Sequence, residues 1–405
     1  MKRIITSLAL AALSVATVSA LDVSARVYMS GSLADGYHVD NGSEKGNPWN
    51  FLTVNDQEQK DDDAIQLSMS SEKAGASFRL YYTYTNDGDS ETLKARSTVL
   101  WFKPIDMVKL LVGDVGQYLY TEQLDWWRDP IGGSYAQWES WSRRYSNQTG
   151  LETRGAQIEL YPIDGLTLQL GAGADGKNTT FFSNSSDGKK KYLKWGATAK
   201  YQITDDLSAG IGYRDEGCDD TGDSVSPSYK LITAGVDFGN AWTKPYYGFI
   251  QPRLLIDYNT QKENAWSFDA VMIDNYFKFR VSDWTIEARL PFCVRLTGED
   301  DDPSWFVYEA RAKYFLNDTF EPYFKVASDH TWKADAHVIT LGSEKGYRIQ
   351  DTFYVDVEPG CCFHFGAAEV YAALEFYTTP VYISGSKYSD KWWGWAIPFS
   401  CSVKL

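Results

Sequence analysis

From residue 22 onward the chain is written in short runs of alternating apolar and polar side chains. In the first run Val23, Ala25, Val27 and Met29 interleave with Ser24, Arg26, Tyr28 and Ser30. In the last, residues 391–405, one register holds Trp393, Trp395, Ile397, Phe399, Cys401, Val403 and Leu405, and the other holds small or polar residues from Gly394 to Lys404. Successive side chains of a strand point to opposite faces, so each run predicts a strand with one apolar face. Breaking the runs at turn residues gives eighteen strands, over 22–33, 64–70, 76–85, 93–102, 107–115, 155–161, 166–173, 192–202, 207–214, 229–238, 249–258, 266–281, 285–296, 305–316, 320–327, 351–365, 368–377 and 391–405.

The connections alternate in length. Tight turns, such as those at 72–75, 103–106, 162–165, 203–206, 282–284 and 317–319, take turns with longer polar segments, such as 34–63 and 116–154. An up-and-down antiparallel sheet then carries its short turns at one end and its long loops at the other. Residues 336–341 also alternate, but a nineteenth strand would send the two chain ends to opposite sides. They are therefore assigned to an external loop, or to a hairpin arm within one.

The polar registers are charged. Arg26, Arg79, Lys94, Arg96 and Lys109 lie on the early strands, Lys278, Arg280, Glu287, Arg289, Arg295, Glu309, Arg311, Lys313, Glu321 and Lys325 on the twelfth to fifteenth, and Glu369 and Glu375 on the seventeenth. A dry sandwich core would make these charges expensive unless each were paired, whereas a wet interior accommodates them. The chain start also points out of the cytoplasm. Lys2 and Arg3, an apolar stretch over 4–15 and Val18-Ser19-Ala20 read as a signal peptide, residues 1–20, ahead of a single domain, 21–405. No later segment is long and apolar enough for a spanning helix.

Residues 391–405 have the length of a tilted spanning strand. As a carboxyl-terminal strand they resemble the assembly signal of bacterial outer-membrane β-barrels, which most often ends on an aromatic residue where this chain has Leu405. The resemblance implies an all-β fold: a closed antiparallel transmembrane β-barrel of about 18 strands, within a range of roughly 16–20. It implies short periplasmic turns, long extracellular loops, outer-membrane lipid around the barrel, and recognition of the last strand by the barrel-assembly machinery. Closure has a physical reason, because lipid cannot satisfy an open sheet edge. Tyr82, Tyr84, Trp101, Tyr161, Trp195, Tyr201, Tyr258 and Trp305 fall near strand ends, where they would form the two aromatic girdles.

Segment 116–154 is the third long loop. Here the chain resembles the porins, whose third loop folds into the barrel and narrows it. The porin loop often carries Pro-Glu-Phe-Gly-Gly; this one has Pro130-Ile131-Gly132-Gly133 and lacks the acid. The resemblance implies a constriction in which Asp125, Asp129 and Glu139, beside Arg128, Arg143 and Arg144, face a basic wall of Arg26, Arg79, Lys94, Arg96 and Lys109. The implied function is a water-filled channel for passive diffusion of small hydrophilic solutes and ions, as a homotrimer in related porins. Trp126, Trp127, Trp138 and Trp141 in the same loop keep open a sugar-specific porin, in which apolar sugar faces stack on aromatic rings. A barrel-anchored adhesin would use the long loops equally.

Composition narrows the remaining classes. The formal charge of −15, about −17 without Lys2 and Arg3, argues against nucleic-acid binding. The acidic loop runs, Asp61–Asp63 and Glu299–Asp302 among them, lack calcium-loop spacing and read as solvated surface. The five cysteines, Cys218, Cys293, Cys361, Cys362 and Cys401, show no metal-site spacing and read as free thiols. Among His38, His330, His337 and His364 no catalytic motif appears, so neither an enzyme nor a cofactor is expected.

Overall fold

A computed structural model describes residues 22–40, 45–46, 49–54, 64–83, 92–117, 119–120, 152–174, 194–215, 219–220, 225–226, 229–240, 243–259, 265–296, 304–332, 337–341, 344–349, 353–378, 382–383, 387–388 and 393–404. Residues 1–20, expected to be a signal peptide, most of segment 116–154, Cys218, Leu405 and the acidic runs at 61–63 and 299–302 lie outside these residues.

Eighteen antiparallel strands close on themselves. They are β1 (Asp22–Asp40), β2 (Ala64–Ser70), β3 (Ala74–Thr83), β4 (Thr92–Ile105), β5 (Val108–Gly116), β6 (Glu152–Leu160), β7 (Leu166–Ala174), β8 (Lys194–Thr204) and β9 (Leu207–Asp215). The second half comprises β10 (Tyr229–Gly239), β11 (Tyr246–Asn259), β12 (Ala265–Val281), β13 (Trp284–Arg289 with Phe292–Arg295), β14 (Ser304–Tyr314), β15 (Phe320–Trp332), β16 (Phe353–Phe365), β17 (Ala368–Ala373 with Glu375–Thr378) and β18 (Trp393–Lys404). Each strand pairs with the next, and β18 returns to β1 from Arg26↔Lys404 to His38↔Trp393. Every predicted strand is present. Residues 337–341 pair with Glu344–Ile349 as a separate hairpin, as the parity argument requires.

The sheet faces follow the alternation. Val27, Met29, Leu100, Val112, Leu170, Ile211, Ile232, Ile250, Phe324 and Phe376 point outward and are exposed. A belt of this kind is costly in water and is what a lipid-facing surface requires. Ser400 and Ser402 of β18 are buried on the inner side. Outward aromatic pairs sit at both ends of the belt: Trp195 with Tyr213 at the loop end and Trp284 with Tyr314 at the turn end, each with ring centroids 4.9 Å apart. Trp195 and Tyr201 thus meet the girdle expectation. Trp101 does not: a bulge opposite Ser77–Arg79 turns it inward, where its ring lies over Gly75 and the Lys109 ammonium sits 5.5 Å from its centroid. Tyr161 likewise donates its hydroxyl to the inward Glu159, at 2.6 Å.

Three departures from the expected strands have local causes. First, β1 runs on to Asp40, because Trp49–Val54 folds back along its upper half. Second, β13 breaks at Leu290-Pro291, since proline has no N–H to donate. Asn275 of β12 fills the gap. Its Oδ1 accepts the Leu290 N–H at 2.8 Å, and its Nδ2 donates to the Leu290 carbonyl at 2.7 Å. Third, β17 breaks at Leu374, whose N–H reaches the carbonyl of Pro359, the proline in mid-β16. At the turn end, Gly366 takes φ +66°, which lets β16 turn into β17 without strain. Lys73 and Asp106 clip two neighbouring turns at 2.5 Å; the pairing holds the ammonium above its usual range and the carboxyl below.

Candidate pore lining

The inner wall is ordered by register into rows of charge. One row crosses five strands: Lys278 on β12, Glu287 on β13, Arg311 on β14, Lys325 on β15 and Glu358 on β16. Residues directly opposite in an antiparallel pair share a face, so these side chains are neighbours by construction. The pairs are tight. Arg311 donates from Nε to Glu287 Oε2 at 2.7 Å and from Nη2 at 2.5 Å, and both side chains are 1% exposed. The Lys325 ammonium lies 3.7–3.8 Å from Glu309, Asp356 and Glu358. Tyr323 donates its hydroxyl to Glu358 at 2.5 Å. Farther round, Arg253 Nη2 meets Asp274 Oδ2 at 2.8 Å, with Arg214 and Arg289 within electrostatic reach.

These side chains are buried and paired rather than bathed in water. A buried ion pair costs several kcal/mol of desolvation per ion, about as much as its Coulomb attraction returns. The rows therefore add little net stability, but loss of either partner would strand a charge. The arc from β9 to β16 is thus a rigid, mixed-charge wall. A second arc, β1 to β4, carries a row of a different kind: Arg26, Gln66, Arg79 and Arg96 stand opposite one another in sequence.

The first residues beyond β5 turn inward. Gln117, Leu119 and Tyr120 are buried inside the barrel. Two glycines make room for them. A Cβ on Gly210 would stand 2.9 Å from Leu119 Cδ2, and one on Gly235 would stand 2.8 Å from the Tyr120 ring. Three hydrogen bonds then fix Tyr120. Its hydroxyl donates to the Gly235 carbonyl at 3.4 Å, Ser208 Oγ donates to that hydroxyl at 3.2 Å, and Gln251 Nε2 donates to its backbone carbonyl at 3.2 Å. The Lys200 ammonium sits 4.4 Å from the ring centroid and 3.2 Å from Asp237 Oδ2. Phe249, Tyr247 and Tyr276 stack behind Tyr120, with centroids 6.1–6.5 Å apart. These rings are at most 4% exposed, so they hold the loop's root and offer no free face to a passing solute.

No protein-family model and no curated protein matches the sequence. Solved structures do. OpdO of Pseudomonas aeruginosa aligns over 96% of this chain and 98% of its own, at 12% identity and TM-score 0.52. OccAB4 of Acinetobacter baumannii gives the same four values. The outer membrane protein OpdK of Pseudomonas aeruginosa covers 95% of this chain and 99% of its own, at 11% identity and TM-score 0.50. The fold is that of outer-membrane porins.

Within this porin fold the expected wall residues divide. Arg26, Arg79 and Arg96 fall in one row, and Lys94 is one step along the same register, opposite Tyr81. Arg26 reaches Glu369 at 3.8 Å and Ser402 at 3.4 Å. Lys109 lies nearer the turn end and pairs with Glu159 at 3.3 Å, away from that row. Asp125, Arg128, Asp129, Glu139, Arg143 and Arg144 fall outside the described residues. Sequence reasoning missed Glu159, Arg214, Arg253, Asp274, Asp356 and Glu358, all buried on the inner wall. Parity would have found several of them: Asp356 and Glu358 alternate with Val355 and Val357 on one strand, and Arg253 with Pro252 and Leu254 on another.

Proposed function

We propose that the chain is an outer-membrane porin, a passive channel for small hydrophilic solutes and ions, narrowed by its third external loop. The supporting observation is the docking of Leu119 and Tyr120 against Gly210, Gly235, Ser208 and Gln251, which starts the third loop into the lumen. A loop rooted there and returning to β6 has 116–154 to lay across the bore. In this reading Asp125, Asp129 and Glu139 face the Arg26–Arg79–Arg96 arc, with Lys94 beside it, while Arg128, Arg143 and Arg144 stay on the loop side. Opposed rows of acid and base set a field across the constriction, and an ion is selected by which row it passes.

The exposed apolar belt fits outer-membrane lipid, and β18, which seals the barrel, is the strand that the assembly machinery would engage. A homotrimer is carried over from the porin resemblance alone. The sugar-specific alternative rests on Trp126, Trp127, Trp138 and Trp141, which lie outside the described residues; the rings described at the loop's root, Tyr120, Tyr247, Phe249 and Tyr276, are buried and lend it no support. The test is reversal potential in a salt gradient. The triple variant Asp125→Asn, Asp129→Asn, Glu139→Gln is expected to move selectivity toward anions. An unchanged reversal potential in conducting channels would remove these acids from the constriction.

A further inference from the structure

The ladder brings Glu321 of one strand beside two metal-ligand side chains of the next, Cys362 and His364. Glu321 on β15 stands opposite Cys362 on β16. His364 follows Cys362 by two residues, so both point into the lumen near the turn end. One ligand atom from each lies within 4.8 Å of the other two. Cys362 Sγ is 3.2 Å from His364 Nε2, and that nitrogen is 3.7 Å from Glu321 Oε2. Ligand atoms of a tetrahedral zinc site, with bonds of about 2.0–2.3 Å, stand roughly 3.3–3.8 Å apart. Two of the three separations, 3.2 and 3.7 Å, are already close to that spacing, and the third, between Cys362 and Glu321, is within 4.8 Å.

The surroundings support the geometry. Glu369, opposite His364 in the ladder, places Oε1 3.8 Å from Nδ1 of the same ring. Glu369 is in turn anchored by Arg26 at 3.8 Å and Lys404 at 3.9 Å. At 3.8 Å this is an ion-pair contact; closing onto Nδ1–H, such a carboxylate fixes a ligating histidine and leaves the Nε2 lone pair toward the metal. Cys362 is buried, while His364 is 31% and Glu321 20% exposed, so the lumen gives an ion access and an open fourth position. The thiol is also protected from a neighbour: Cys361 alternates to the opposite face, and none of the described cysteines is in a disulfide. Thiolate and carboxylate together neutralise a divalent charge.

We propose that Cys362, His364 and Glu321 bind one soft divalent cation of the zinc type on the inner wall, with Glu369 as the positioning residue for His364. The site does not depend on the channel reading. Binding replaces the thiol proton by the metal and releases it to solvent.

The test is Co2+ titration of the full folded chain in detergent, followed by absorption. The expected result is one Co2+ per barrel, with a thiolate-to-cobalt charge-transfer band and tetrahedral d–d bands, both bleached by Zn2+. Cys362→Ser should abolish the charge-transfer band and Cys361→Ser should leave it intact. His364→Gln, which leaves the buried thiol in place, should weaken binding at least tenfold, and this keeps the test open if the serine variant does not fold. Heat-modifiable gel migration checks folding throughout. No band from the folded protein would mean an ion-pair cluster only, and a band that survives Cys362→Ser or disappears in Cys361→Ser would equally overturn the site.

Discussion

At the scale of single residues, the informative positions are those with no room to change. Gly235 accepts the Tyr120 ring where any Cβ would collide with it at 2.8 Å. Gly235→Val is therefore expected to push Tyr120 off the wall and free the root of the third loop. The readout is single-channel recording, in which the variant should give larger or noisier open currents with an unchanged β-sheet circular dichroism spectrum. Glu287, 1% exposed and doubly hydrogen-bonded to Arg311, makes the opposite point. Glu287→Ala leaves a buried guanidinium without its main counter-charge, a change that typically costs about 3–5 kcal/mol. Urea unfolding from lipid vesicles should show that loss; a variant as stable as the parent would mean that water, not Glu287, solvates Arg311. Lys278, Glu287, Arg311 and Lys325 were legible from alternation alone, and so was their face, whereas Glu358 at the end of the row was passed over. Their partners were not legible, because pairing such as Lys325 with Asp356 depends on register between strands, which one strand's pattern does not encode.

At the scale of elements, the strand pattern was legible because lipid enforces it: an outward polar residue is penalised on every strand, so period two survives almost unbroken. The irregularities were less legible. The break in β13 follows from Pro291, yet its repair lies on β12, in a side chain that reads as an unremarkable asparagine. Because Asn275 is nearly inaccessible and lies on the lipid-side register, water is a poor substitute for its amide. Asn275→Leu is expected to leave the Leu290 N–H and carbonyl unsatisfied, at about 1–3 kcal/mol each. The measurement is again the urea midpoint in vesicles, and a midpoint unchanged from the parent would show that the break is held by something else. The misplacement of Trp101 has the same origin: the bulge between Ser77 and Arg79 shifts register by one, and one residue exchanges the faces.

At the scale of the whole molecule, eighteen strands enclose more space than wall side chains fill. The protein partly closes it from β9 to β16 with paired charges and stacked rings, and roots its third loop against that packing through Tyr120. The arginine row of β1 to β4 lies on a separate arc, so a bore between the two would have walls of different character. In the proposed channel this bore conducts and the third loop sets its width. This is tested most directly by comparing single-channel conductance of the refolded chain with that of a variant in which residues 121–151 are replaced by a short Gly-Ser linker. Stable, salt-proportional steps are expected from the parent and clearly larger steps from the variant. Two correctly folded, heat-modifiable barrels that give no steps, or steps of equal size, would contradict the proposal.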